Sequence, residues 1–235
     1  MLDSLPDSLA TILAIGFTIL IIIVGLIHKQ REKQANIKRS ADFKKFCENN
    51  NCKYSGSMSV IPRSVTKFSC FRNKVKELEY LNIIYGNRDG INYYIIDRKY
   101  ITGYGRDNRV RPENCWVIHD KRMSFPQFFM REEYGLFDNV GKVLGGQDID
   151  FDSDPAFSNK FVLQGANESA VREFFRDNIR RVFVENHHRG YCYEAGSDCF
   201  MVQTMQYSSD IQSMMKLLNY SLKLYKEMIE EIEPS

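Results

Sequence analysis

One tryptophan, four histidines and no C-x-x-C among 235 residues leave few of the usual carriers of chemistry. Without that spacing, Cys47, Cys52, Cys70, Cys115, Cys192 and Cys199 signal neither a zinc ribbon nor a dithiol redox pair. An excess of one charge is lacking too. The 32 basic and 30 acidic side chains give a formal +2, which is no electrostatic footprint for nucleic acid, so none is expected as a partner. The chain carries no H-E-x-x-H, G-x-S-x-G or G-x-x-x-x-G-K-[ST]. Gly103-Tyr104-Gly105 opens like a dinucleotide fingerprint, but Asn108 stands where glycine is required. Repeats of about 20 to 50 residues and low-complexity tracts are also missing. No cofactor is expected from these patterns.

What is present begins with a long apolar run. Ser8 to Ile27 contains no charged residue. About 20 helical residues span about 30 Å, the thickness of a bilayer's hydrocarbon core. Apolar side chains cover every side of this helix, whereas a soluble amphipathic helix keeps a polar face. Ser8, Thr11 and Thr18 are mild exceptions, because a hydroxyl can bond back to a carbonyl one turn earlier. A cleaved signal would need a basic n-region and a small-residue cleavage site; this N-terminus is acidic and a basic run follows. Residues 8–28 are therefore expected to be a transmembrane helix, preceded by a short external segment, 1–7.

Lys29, Arg31, Lys33, Lys38 and Arg39 lie in the juxtamembrane stretch 29–40, while Asp3 and Asp7 precede the helix. The positive-inside rule places the basic flank in the cytoplasm, with the N-terminus outside. The same five side chains are expected to meet anionic headgroups of the bilayer. In the cytosol the six cysteines would be thiols. Reversed topology would leave a disulfide framework open, with Cys47–Cys52 and Cys192–Cys199 the pairs nearest in sequence.

Residues 41–235 read as an α+β domain with antiparallel sheet, either as one body or as two halves, 41–146 and 147–235. Ala41 to Asn49 is expected to be a separate short helix, and Val65 to Leu78 helical or mixed. Leu81 to Asp97 is a hairpin around Asn-Arg-Asp-Gly, with Tyr100 to Tyr104 continuing the sheet. Asn114 to His119 and Gln127 to Glu132 complete an expected meander, and Phe137 to Gly146 is a short helix closed by glycine. The second half is expected to run β-α-β-β-α. Phe157 to Gly165 is its first strand. Asn167 caps one helix running to Asn186, whose apolar stripe is Val171, Phe174, Phe175, Ile179, Val182 and Phe183. A hairpin turns at Ala195 to Asp198, and a long helix begins near Ser208 or Ser209. There Ile211, Met215, Leu218, Leu222, Tyr225, Ile229 and Ile232 recur at spacings of 4 and 3. That stripe fits a helix laid across its own sheet, and also a coiled-coil seam for self-assembly.

Asp148, Asp150, Asp152 and Asp154 fall at every second position. A calcium loop started at Asp148 puts Ser153 and Asn159 where glycine and glutamate are needed; started at Asp150 it puts Pro155 and Phe161 there. With Ile149 and Phe151 between them, the aspartates read as a strand entering the core, apolar side chains inward and carboxylates outward. They remain candidates for a cation or acid/base site, as do the adjacent His187 and His188, whose polar turn suggests an exposed pair. No residue here is assigned as catalytic.

Gly145 to Phe175 resembles the central block of a family of uncharacterised bacterial single-pass membrane proteins. Similar segments in that family follow an N-terminal anchor and basic flank, and precede a closing helix, so the resemblance covers most of residues 8–230. It departs after Gly105, where this chain carries Pro-Glu-Asn-Cys-Trp. It implies bacterial origin, one transmembrane helix and an α+β domain, and carries no functional residue across. The expected function is a membrane-tethered, non-catalytic interaction or accessory module with an unidentified protein partner. The alternatives are a membrane-bound enzyme using the Asp148–Asp154 block and a scaffold assembling through the last helix.

Overall fold

The computed structural model describes residues 7–72, 78–102, 109–133, 148–204 and 206–232. The chain divides into two compact units, Met1–Lys45 and Phe46–Ser235. Helix α1, Asp7–Asn49, is continuous. The stretch expected to be a linker is therefore helical, and Ala41 to Asn49 is the end of the same helix. The run contains no proline and no glycine after Gly25, so nothing interrupts the backbone ladder. Within the first unit, every residue from Thr11 to Ile27 is exposed. Thr18 donates its hydroxyl to the Ala14 carbonyl at 2.8 Å, the back-bond expected of it.

The second unit is α+β. Strand β1 (Lys53–Ser55) is followed by 3-10 turns Met58–Val60 and Arg63–Lys67 and a short helix α2 (Ser69–Arg72). Strands β2 (Leu78–Arg88) and β3 (Ile91–Thr102) form the expected hairpin. Its turn needs positive φ at two successive residues, which Asp89 (54°) and Gly90 (81°) supply. Strands β4 (Arg109–His119) and β5 (Phe125–Glu132) come next. Helix α3 (Pro155–Ser158) precedes β6 (Phe161–Gly165), so the first expected strand of the second half is shorter and starts with a helical turn. Helices α4 (Glu168–Phe174) and α5 (Asp177–Glu185) replace the single helix expected. Asn167 caps α4 by accepting from Ala170 N, and the chain breaks at Phe175–Arg176, where Arg176 takes extended geometry. Strands β7 (Tyr191–Ser197) and β8 (Cys199–Thr204) are the expected hairpin. Helix α6 (Ile211–Ile232) closes the unit; its cap is Asp210, which accepts from Ser213 N at 2.8 Å, and not a serine. The helix expected over 137–146 lies outside the described residues.

The eight strands among the described residues form one antiparallel sheet, ordered β1-β2-β3-β4-β8-β7-β5-β6. This corrects the meander: β4 and β5 are not neighbours, because the β7–β8 hairpin stands between them. The sheet passes through both stretches that might have been separate halves. Cross-strand register assigns the faces. Ile83, Ile96 and Cys115 lie side by side, and with Val117 and Met201 they pack against Ile61, Val65 and Phe68 of the turn segment. On the other face Trp116 donates its indole N–H to the Met214 carbonyl of α6 at 2.9 Å. Phe128, Phe174, Phe175, Phe183, Tyr193 and Phe200 form a continuous aromatic layer there, with ring centres as close as 4.9 Å.

Helix α6 turns Met214, Leu218, Ser221, Leu222, Tyr225 and Met228 inward. Met215 and Ile229, assigned to the seam by spacing, are only half-buried. The stripe thus serves packing within the unit. Polar groups on the α6 face of the sheet are chained together. Tyr54 donates to Asn82 (2.7 Å), Asn82 and Asn114 donate to Asp97 (3.0 and 2.9 Å), and Ser208 N donates to Asn114 (2.7 Å). The chain of bonds runs across β1 to β4 and into the loop before α6, so buried Asn82, Asp97 and Asn114 meet partners instead of bare hydrocarbon.

Candidate functional site

The aspartate block does not form a single site. Ile149 and Phe151 are buried, and Asp148, Asp150 and Asp152 are exposed, so the expected alternation of faces is present. The segment is not a ladder strand, however. Ile149 N donates to the Leu163 carbonyl at 2.8 Å, and the Asp148 carboxylate accepts from Leu163 N at 2.8 Å, which docks the segment along β6. Although Asp148 as a residue is exposed, its carboxylate lies against β6, and that partial burial pushes it up against the hydrogen bond from Leu163 N. Asp154 faces elsewhere: it caps α3 through Phe157 N (3.1 Å) and pairs with Arg180 (2.8 Å).

His187 and His188 diverge, as adjacency predicts: His188 is exposed, as its polar turn suggests, but His187 is half-buried, so they are not an exposed pair. His187 packs edge-on to Phe161, and His188 lies against Tyr191 and Tyr220. The cysteine pairs nearest in sequence do not form disulfides, and all six thiols are free. Cys192 sits opposite Gln203 and Cys199 opposite Gly196, so strand register separates them along the β7–β8 hairpin.

Two constellations escaped sequence inspection. The first lies inside the turn-segment face and brings Cys70, Glu113 and Cys115 together, all buried. Arg98 occupies the middle of it. Its Nε donates to Glu113 at 2.6 Å, its guanidinium also reaches the Cys70 carbonyl, and it lies 4.4 Å from the centre of the Phe71 ring. Gln203 donates to the other Glu113 oxygen. Burial pushes the Glu113 carboxyl up, and Arg98 opposes that shift. A fixed cation already balances this carboxylate, so the arrangement is an internal ion pair.

The second stands where β4 ends. His119 is paired with Cys199, the first residue of β8, and Asp120 N extends the ladder to the Asp198 carbonyl at 3.0 Å. Ser197 takes a φ of 59° at the hairpin turn, and Asp198 follows it. His119 Nε2 lies 3.0 Å from Asp198 Oδ2. Ser64, from the second 3-10 turn, donates to Asp198 Oδ1 at 2.7 Å and lies 3.2 Å from Cys199 Sγ. Cys199 Sγ is 3.5 Å from Asp198 Oδ1. Burial alone would raise the Asp198 carboxyl, but Ser64, Cys199 and His119 together hold it below the usual carboxylate value. Burial, with the Asp198 charge beside it, pushes the Cys199 thiol up to about 12, so without a counter-charge it is a protonated, inert thiol. Close by, Tyr225 of α6 donates to Asp120 at 2.9 Å, and Arg122 holds that carboxyl at about 2. No sequence spacing marks this cluster; only the β4–β8 pairing brings it together.

A cleft of about 280 Å³ opens at the start of α6, lined by Trp116, Arg189, Tyr191, Ser213 and Leu217 among others. None of the aspartates or histidines nominated from sequence lines it.

No protein-family model matches the chain, and no curated protein matches it. Among solved structures, the crystal structure of the mycobacterial trehalose monomycolate transport factor A, TtfA, is similar with a TM-score of 0.47 and 10% sequence identity. The alignment covers 80% of this chain and 95% of that one. A likeness this weak carries no functional argument.

Proposed function

We propose that this chain is a single-pass membrane protein in which α1 tethers a non-catalytic interaction or accessory domain to the inner face of a bacterial cytoplasmic membrane. The observation that carries the tether is the surface of α1. Ile12, Leu13, Ile15, Phe17, Ile19 to Val24, Leu26 and Ile27 are 47–66% exposed. A contiguous apolar surface of that size is unstable in water and stable in hydrocarbon. Lys29, Arg31, Lys33 and Lys38 are exposed on the next turns, which favours retention of that end on the cytoplasmic side. Tethering would hold the domain near a membrane-borne protein partner and raise its effective concentration there. Asp148 and Asp154 are engaged in docking β6, capping α3 and pairing with Arg180, which favours a structural role for the block.

Spheroplasts carrying the full chain would be treated with a membrane-impermeant maleimide. Half-buried Cys52 and Cys192 should stay unmodified until the membrane is permeabilised, while Ser4→Cys should be modified at once. Modification of the native thiols in intact spheroplasts overturns the orientation. Recovery of the chain in the alkaline-soluble fraction overturns the anchor. Capture from detergent extracts at native expression should retain the same membrane protein in replicate experiments, and failure to do so overturns the accessory role.

A further inference from the structure

We propose that His119, Asp198 and Cys199 form a binding site for one zinc-type divalent cation. The three ligand atoms lie within 4.8 Å of one another. Tetrahedral zinc, with bonds of about 2.0–2.3 Å, needs ligand-to-ligand edges of roughly 3.3–3.6 Å. Here Nε2 to Oδ2 is 3.0 Å and Sγ to Oδ1, the other oxygen of the same carboxylate, is 3.5 Å, so the carboxylate lies between the imidazole and the thiol and would rotate to present one oxygen to an ion. One imidazole, one thiol and one carboxylate make a borderline-soft set, which suits zinc and cobalt and not magnesium or calcium.

The scaffold is rigid. His119 and Cys199 face each other in the β4–β8 ladder, and the Asp198 carbonyl is held by Asp120 N. Ser64 bonds to both the carboxylate and the thiol, as groups around metal ligands do. His119 is 93% buried and turns Nε2 to Asp198, which makes Nε2 the ligand atom; Nδ1 has no hydrogen-bond partner among the described residues, so Ser64 alone supplies the surrounding bonds. The Asp198 side chain is 29% exposed and provides a route in from solvent. Binding would displace one proton, from the Cys199 thiol to solvent, and the ion would compensate the buried thiolate. Three protein ligands leave a fourth position for water. The Cys70–Glu113–Cys115 group is the rival, and the Arg98 guanidinium already fills it.

The test is a cobalt titration of the untagged, metal-stripped full chain in detergent. The expected result is one tetrahedral Co2+ per chain, with a thiolate-to-cobalt charge-transfer band that Zn2+ abolishes by displacement. H119Q and C199S should each lose the band while C192S keeps it, and S64A should weaken binding about 10- to 100-fold. Near-ultraviolet circular dichroism checks that each variant is folded. Absence of a thiolate band in the wild-type chain overturns the proposal without recourse to any variant. So does a band that survives C199S, or one that survives H119Q, which leaves the sulfur in place.

Discussion

Arg180 of α5 donates to the Asp154 carboxylate at 2.8 Å while its guanidinium lies 4.3 Å from the centre of the Phe151 ring. The guanidinium is 4% exposed and also bonds to the Phe175 carbonyl and to Asp177. One aspartate of the alternating block thus fastens α3 to the helix pair. Asp154→Ala removes both the cap of α3 and the partner of a buried cation. It should cost about 2 kcal/mol in urea unfolding, discounted from a fully buried pair because Asp154 is partly exposed and Asp177 remains. Arg180 holds the Asp154 carboxyl below its ordinary 3.8. Its contribution is therefore complete above 3.8 and is lost as the pH falls through the lower folded value. The gap between wild type and variant should narrow on acidification over that window.

Gly165 ends β6 against α4. A Cβ there would come 2.4 Å from Val171 Cγ2 and 3.0 Å from the Gln127 carbonyl. Gly165→Ala should cost about 1–3 kcal/mol by overpacking. Gly165→Ala with Val171→Ala should be less unstable than the sum of the two single changes, because the second makes room for the first. A double-mutant cycle in urea measures the coupling.

His187 is held neutral by burial and then by Lys160, against the opposing pull of Glu132. Its Nε2 lies 3.5 Å from Glu132, too far for a hydrogen bond. Its folded value lies below 6.5, so the unfolded chain binds the extra proton first. Stability contributed at neutral pH is lost as the pH falls through 6.5 toward the folded value. His187→Gln should flatten the fall in melting temperature over that range while leaving the melting curve at higher pH less affected.

Leu222 is 6% exposed and turned into the second unit, not outward along a dimer seam. Leu222→Ala should therefore cost about 2–5 kcal/mol of unfolding free energy. Leu222→Cys should give no crosslinked dimer under oxidising conditions. A crosslinked dimer would restore the coiled-coil reading of α6.

The antiparallel class, both hairpins, the Asn167 cap and the apolar helix were legible because each depends on neighbours a few residues away. Gly90 needs only Asp89 to make its turn, and Asn167 needs only Ala170 N. The continuity of α1 was missed because a basic stretch without proline looks like a linker while costing the helix nothing. The split between α4 and α5 was missed because the apolar stripe runs on through Phe174 and Phe175 and hides the break in the backbone.

The residues alone determined that a bilayer-length apolar helix precedes an α+β domain, since hydropathy and period act over one or two turns. Only the tertiary structure decided the strand order, and with it the meeting of His119 with Asp198, 79 positions apart, and of Ser64 with Asp198, 134 apart. Contacts at that separation are fixed by which sheet edges and faces bury the most apolar surface, a competition across the whole chain that no local pattern records.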